Sequence, residues 1–489
     1  MTSAPGAGPA GPRRTRTHTR TLTARAPMTT DPCLLTATEL LHAYRHGTLS
    51  PVEATQAVLQ RIDRLNPTLN CYCTVDVEGA LEAARAAERR WRQGAPRGVL
   101  DGVPVSIKDL VLTRGLPTRF GSRTTAADGP WDVDAPAAAR LREAGAVLVG
   151  KTTTPEFGHK FVTDSPLTGI TRNPWDPARS PGGSSGGAGA AVAAGLAPLA
   201  VGTDGGGSIR IPAAWSGIVG HKPTFGRVPA LPPSRWGTLS NVGPMARTVS
   251  DAALLLTVLA GPDARDWYAL PPDGRDYSVG LEEGVRGLRL AFSPDLGLAT
   301  VEPEVATLVR AAVELLADQG AHVEEIPAPG IDAILQAHRT FAVSIFAHMV
   351  EGFSEAQRAL VDPYLLGFHA AGRQLSALDF QQSLQIRREV GTRMQALHQR
   401  FDLLLLPSFH CGPPPVPGLP EGMAGKPPAL TCWVNHTNQP AASVPCGRTA
   451  AGLPVGLQIV GPKYADALVL RCARAYEAAR GPFPRPPLD

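Results

Sequence analysis

Lysine is scarce in this chain. Six of the 47 basic residues are lysines (Lys108, Lys151, Lys160, Lys222, Lys426 and Lys463) and the other 41 are arginines. A lysine that survives such a bias is a candidate for something arginine does not do, which is to lose its proton. The search for an amine base therefore narrows to six positions, most of them explicable by chance or packing. Paired cysteines are missing too. The seven cysteines are odd in number and scattered, with no C-x-x-C pair, which points to packed thiols in a reducing, cytoplasmic compartment. No run of 18 apolar residues occurs, so no membrane span is expected. Net charge is only +4, spread along the chain, which gives no basic stripe for a nucleic-acid partner. Only His42 and His46 have ligand-like i, i+4 spacing. They lack an intervening Glu in the H-E-x-x-H manner and a third ligand. Neither a metal nor a cofactor is expected.

What the chain does contain is a stretch from Ser180 to Pro212, SPGGSSGGAGAAVAAGLAPLAVGTDGGGSIRIP, with two Gly/Ser knots separated by small apolar residues. A flexible linker is polar on both flanks, and this stretch is not. Ala188 to Ala194 suits a helix and Leu199 to Gly202 a short buried strand. Upstream, Ser50-Pro51-Val52-Glu53 is a capping box opening a helix to about Leu65. Cys71–Val77, Gly102–Asp109 and Ala146–Gly150 read as strands between helices, the last helix capped by Asp134. Downstream, Gly217–Arg227 carries turn signals and Thr248–Ala260 is helical. Strands are expected at Leu288–Phe292, His322–Ile326 and Phe401–Pro407, with a hairpin at Ala441–Cys446 and Pro454–Val460. Strand and helix alternate, so the class is α/β with helices on both faces of a sheet. Residues 1–30, rich in Pro, Ala, Thr and Arg, read as a disordered or mis-called extension. Residues 31–489 read as a single domain with a helical insertion at about 331–400. Phe341, Phe346, Phe353, Tyr364 and Phe368 in that region are candidates for a pocket or for core.

The chemistry lies in the serines. Serine is a poor nucleophile until a base takes its proton. Gly182-Gly183-Ser184-Ser185-Gly186 fits G-x-S-x-G, but the proline-rich lead from Asn173 to Pro181 is no strand for a nucleophile elbow. Ser208 has better context: a short apolar strand, then Thr203-Asp204, then three glycines. The N–H groups of Gly205, Gly206, Gly207 and Ser208 are placed to cup an oxyanion. A phosphate loop is excluded because no Gly-Lys-Ser/Thr follows either glycine cluster. Lys108 at a strand end reads equally as a base or as a salt-bridged partner of Asp109.

Several blocks carry a resemblance: Gly102-Val103-Pro104-Val105-Ser106-Ile107-Lys108-Asp109, Thr171 to Asp176, Ser180 to Gly187, Gly202 to Pro212, Gly220 to Arg227, Val242 to Thr248, Ser443 to Gly447 and Gly452 to Gln458. From about residue 34 to 480 the chain resembles the amidase signature family of serine hydrolases. The resemblance implies an α/β/α sandwich with a large mixed central β-sheet covered by helices. It implies an amidohydrolase of linear or cyclic amides, working through a Ser–cisSer–Lys triad. Carried over by position, the nucleophile is Ser208, the relay Ser184 with a cis Gly183–Ser184 peptide, and the base a neutral Lys108. Lysine normally titrates near 10.4, so burial must lower it by several units. Ser185, Thr203, Asp204 and Arg210 are then supporting residues, the last two equally readable as ordinary structural partners. Gly205 stands where many members of that family carry a threonine or another side chain. The implied partner is a small-molecule amide, and the candidate assembly a homodimer. The alternative is the glutamine-hydrolysing component of a tRNA-dependent amidotransferase. Leu375–Phe380 resembles the stand-alone amidases instead.

Overall fold

The computed structural model describes residues 1–4 and 31–488. Of the expected N-terminal extension, residues 1–30, residues 5–30 lie outside the described residues. The strands are β1 (Tyr72–Val75), β2 (Pro104–Lys108), β3 (Val147–Thr152), a small ribbon of β4 (Asp164–Ser165) and β5 (Gly169–Ile170), β6 (Leu199–Asp204), β7 (Val219–Lys222), β8 (Asn241–Ala246), β9 (Arg289–Phe292), β10 (His322–Glu325), β11 (Leu403–Pro407), β12 (Ala441–Arg448) and β13 (Pro454–Val460). Eleven of them form one mixed sheet in the order β1-β3-β2-β6-β8-β7-β12-β13-β11-β9-β10. β3, β2 and β6 run parallel, as do β11, β9 and β10, and the strands between them pair antiparallel. Helices cover both faces, and the α/β/α class holds.

The two faces can be read from β11. Leu403 and Leu405 enter one apolar cluster with the helices Val249–Leu259, Pro303–Asp318 and Asp466–Arg480. Leu404 and Leu406 enter another with Ala333–Glu351 and Ala429–His436. Side chains in a strand alternate between faces, so an uninterrupted leucine run is what a strand covered on both sides requires. β2 follows the same rule. Val105 and Ile107 join the first cluster, which directs Ser106 and Lys108 to the opposite face, where the helix Gly186–Ala193 packs.

The capping box at Ser50 forms as its sequence dictates: Glu53 N–H donates to Ser50 Oγ (3.1 Å) and Ser50 N–H to Glu53 Oε2 (2.7 Å). That helix runs to Leu69, past the expected end near Leu65. Asp134 does not cap the next helix. The cap position is Ala135, with no side-chain hydrogen bond, and Asp134 instead accepts from Arg114 N–H at 2.7 Å. The turn-rich stretch 217–227 contains β7. Most of β8 carries no strand signal, because Gly243 and Pro244 lower strand propensity. β7 pairs only with Met245 and Ala246, whereas Pro244 stands opposite Val201 of β6.

Candidate active site

Three lysines are fully buried: Lys108, Lys151 and Lys222. Lys151 donates to the Val111 carbonyl and to the Thr113 and Thr118 hydroxyls, and burial pushes it down to about 8. Lys222 donates to the Pro223 carbonyl, and burial with the Arg210 charge pushes it down to about 7. Lys108 differs in its partners. Its Nζ meets three hydroxyls: Ser184 Oγ at 2.7 Å, Ser185 Oγ at 2.9 Å and Thr203 Oγ1 at 2.9 Å. The ion pair with Asp109 does not form. Asp109 accepts from the N–H groups of Arg119 and Gly121, both at 3.0 Å. Burial holds Lys108 well below its ordinary value, and the Asp204 charge opposes this only in part. The result is an amine stripped of water and hydrogen-bonded to a serine.

The two glycine knots build the rest. The Gly183–Ser184 peptide is cis, and Ser184 and Ser185 immediately precede the helix Gly186–Ala193. Ser185 ties the knots together. Its N–H donates to the Ser208 carbonyl (3.1 Å), and its hydroxyl bonds both the N–H and the carbonyl of Thr203. Ser208 lies between the end of β6 and the helix Arg210–Ser216. Ser184, Thr203, Gly205, Gly206 and Ser208 all line one cavity of about 230 Å³, with Lys108 behind its wall. Within the described residues the Ser208 hydroxyl makes no hydrogen bond.

Asp204 and Arg210 lie under the second knot, both fully buried. The carboxylate of Asp204 accepts from Arg210 Nε (3.0 Å) and Nη2 (2.9 Å), from Asn435 Nδ2 (2.9 Å), and from the N–H groups of Gly207 (2.7 Å) and Ile209 (3.1 Å). Burial alone would raise its titration point. The Arg210 charge and the hydrogen bonds outweigh burial and hold it well below the usual carboxylate range. One consequence modifies the expected oxyanion nest. The Gly207 N–H is consumed by Asp204, whereas those of Gly205, Gly206 and Ser208 have no acceptor among the described residues. Gly207 also has φ +132°, and a Cβ there would stand 2.2 Å from Thr431 Oγ1. We expect Gly207→Ala to cost about 1–3 kcal/mol, read as a lower urea midpoint, together with a loss of amide turnover as Thr431 is displaced.

Sequence reasoning missed several residues. Thr431 and Asn435, one turn apart in the helix Ala429–His436, contact Gly206, Asp204 and Arg210. Their i, i+4 spacing becomes a signal only once that helix is known. Trp236 covers Gly205: a Cβ at that glycine would stand 3.3 Å from the indole ring. His338 stacks on Trp236 with centroids 5.7 Å apart. The helical insertion at about 331–400 contributes little to the cavity walls. They come from Leu110 to Phe161 and from Pro229 to Val242, with only His338 and Pro428 from later in the chain. Phe346, Tyr364 and Phe368 pack around the buried His159 ring, and Tyr364 and Phe368 also line a smaller cavity of about 50 Å³ that shares His159, Phe161, Trp236 and His338 with the first.

Comparison with known proteins gives a consistent set. The family model described as Amidase matches residues 53–470. The chain is 38% identical over 466 residues to an acylamidase of Rhodococcus erythropolis, covering 93% of this chain and 97% of that protein. It is 37% identical over 487 residues to the A-type component of the glutamyl-tRNA(Gln) amidotransferase of Chloroflexus aurantiacus, covering 91% and 96%. Among solved structures, a bacterial aryl acylamidase of the amidase signature family superposes with a TM-score of 0.85 at 33% identity, covering 92% of this chain and 96% of that one. A 6-aminohexanoate cyclic dimer hydrolase superposes with a TM-score of 0.84 at 30% identity, covering 94% and 99%.

Proposed function

The chain belongs to the amidase signature family, and on that premise we propose that it is a stand-alone amidase acting on carboxamides with apolar substituents. The observation that carries this reading is the pairing of a fully buried Lys108, without a carboxylate partner, with Ser184 at 2.7 Å. In this reading neutral Lys108 takes a proton from Ser184, which takes one from Ser208, whose Oγ adds to the amide carbonyl. The N–H groups of Gly205, Gly206 and Ser208 stabilise the resulting oxyanion. Collapse breaks the C–N bond, and the relay returns the proton to the leaving ammonia or amine. Water, deprotonated by the same relay, then releases the acid from Ser208.

The alternative, glutamine hydrolysis within an amidotransferase complex, has a relative at 37% identity in its favour. The cavity lining weighs against it. Phe120, Phe157, Phe161, Leu231 and Trp236 line it together with the cations Lys160 and Arg235, and among the described residues no Asp or Glu lines it. The α-ammonium of glutamine would be taken from water without a counter-ion, which is costly. The test is a panel of aliphatic amides, aryl amides, anilides and glutamine, read by ammonia or amine release. We expect turnover of apolar amides well above that of glutamine. Activity confined to glutamine, with a co-purifying partner protein, would overturn the stand-alone reading.

Labelling separates the two serines. A fluorophosphonate is expected to attach to Ser208, and Ser184→Ala to slow labelling without moving it. An adduct mapped by mass spectrometry to Ser184 would reverse the assignment.

A further inference from the structure

One residue at the cavity has no part in the reaction above. His338 is buried, on the helix Ala333–Glu351, yet it lines the cavity. Its Nε2 lies 3.1 Å from where a Cβ on Gly206 would stand, beside the free N–H groups of the second knot. Its Nδ1 lies 3.2 Å from Nε2 of a second buried histidine, His436. The Nδ1 of His436 is buried with no hydrogen-bond partner.

This arrangement decides where the protons sit. Burial pushes His338 down to about 4 and His436 well below its ordinary value, so both rings are neutral and share two protons among four nitrogens. A proton on His338 Nδ1 would force the other onto His436 Nδ1, a buried N–H with no acceptor. With the shared proton on His436 Nε2, the buried Nδ1 holds only a lone pair. Orphaned buried N–H groups are the rarer of the two faults in folded proteins. His436 therefore donates to His338 Nδ1, and the proton of His338 sits on Nε2, at the cavity wall.

We propose that His338 is a specificity residue that presents an Nε2–H donor into the cavity and selects amides with a hydrogen-bond acceptor close to the scissile carbonyl. Heteroaryl carboxamides with a ring nitrogen or oxygen are the class it fits. Trp236, which stacks on His338 and also lines the cavity, supplies apolar surface beside such a ring. This inference rests on the amidase reading. It adds which amides are preferred.

The test compares matched pairs, pyridine-2-carboxamide and furan-2-carboxamide against benzamide, in wild type and in His338→Phe and His338→Gln. A net hydrogen bond of about 0.5–1.5 kcal/mol corresponds to roughly a two- to twelvefold preference. The ratio of kcat/KM for heteroaryl over phenyl amide should fall by about that factor in His338→Phe, whatever happens to benzamide itself. In His338→Gln, which keeps an N–H donor, it should recover in part. An unchanged ratio in His338→Phe would overturn the proposal. A second measurement needs no variant to fold well. Side-chain nitrogen shifts of ¹⁵N-histidine-labelled full-length protein should show His338 protonated on Nε2, and protonation on Nδ1 would overturn the proposal. If wild type turns over no amide at all, the amidase reading fails, while the nitrogen shifts still decide His338.

Discussion

Lys108→Arg should lower kcat/KM for the best amide by about 10²–10⁴-fold, the scale of a lost general base. Arginine carries a positive charge and reaches about as far, so a lysine with a purely structural or electrostatic role would tolerate the change better. A base would not, because a guanidinium stays protonated. Lys108→Met should be similarly inactive. In wild type, kcat/KM should rise with pH through the titration of Lys108, since the neutral amine is the competent form. Burial places that limb well below the ordinary lysine value of about 10.4. Lys222, pushed down to about 7, titrates in a range that could be confused with it. Its Nζ donates to the Pro223 carbonyl and reaches no serine, so Lys222→Met should leave the limb in place. Substantial activity in Lys108→Arg, or loss of the limb in Lys222→Met, would remove Lys108 as the base.

How much of this was legible in the sequence depends on the distance over which each feature is built. The sheet was legible because β2, β3, β6 and β11 carry their signal locally, as short runs of Val, Ile and Leu between turn residues. β8 was not, because Gly243 and Pro244 weaken the local signal, and the reason for Gly243 is the neighbouring β7, whose His221 carbonyl a Cβ there would meet at 2.4 Å. Lys108 stood out through the scarcity of its residue type. The environment that makes it neutral was not legible, since Ser184 and Thr203 lie 76 and 95 positions away. Asp204 and Arg210 were legible as residues but not as a buried pair. Their remaining partners, Thr431, Asn435 and Gln458, lie 221 to 248 positions from Arg210. His338 and Trp236 carried no signal at all. A lone histidine in a helix and a tryptophan in a proline-rich loop gain meaning only from the space that Gly205 and Gly206 leave open.

Arg210→Met should cost about 3–5 kcal/mol of stability, the scale for removing one partner of a buried charge pair. That scale reflects what would remain. Asp204 would stay fully buried without its counter-charge. Gln458 Oε1, Asn435 Oδ1 and the Thr431 carbonyl would each lose a donor now held at 2.7–2.9 Å. Arg210→Lys should fall between Met and wild type, because a single ammonium does not reproduce the two-pronged contact with Asp204. Asp204→Asn should be costly as well, and it adds a local effect. A neutral amide grips the Gly207 and Ile209 N–H groups less strongly, so the nest at Gly205–Ser208 loosens and acyl-enzyme formation should slow even where the protein stays folded. The pH dependence has a definite sign. The folded-state value of Asp204 is depressed, so its contribution is fully present above the unfolded carboxylate value of about 3.9 and is lost as pH falls toward the folded one. Urea midpoints of wild type and Asp204→Asn should therefore stay apart from pH 7 down to about pH 4 and converge only as pH falls further below that value. Equal midpoints already at pH 7 would mean that the pair contributes nothing to the fold and that Asp204 serves the nest alone.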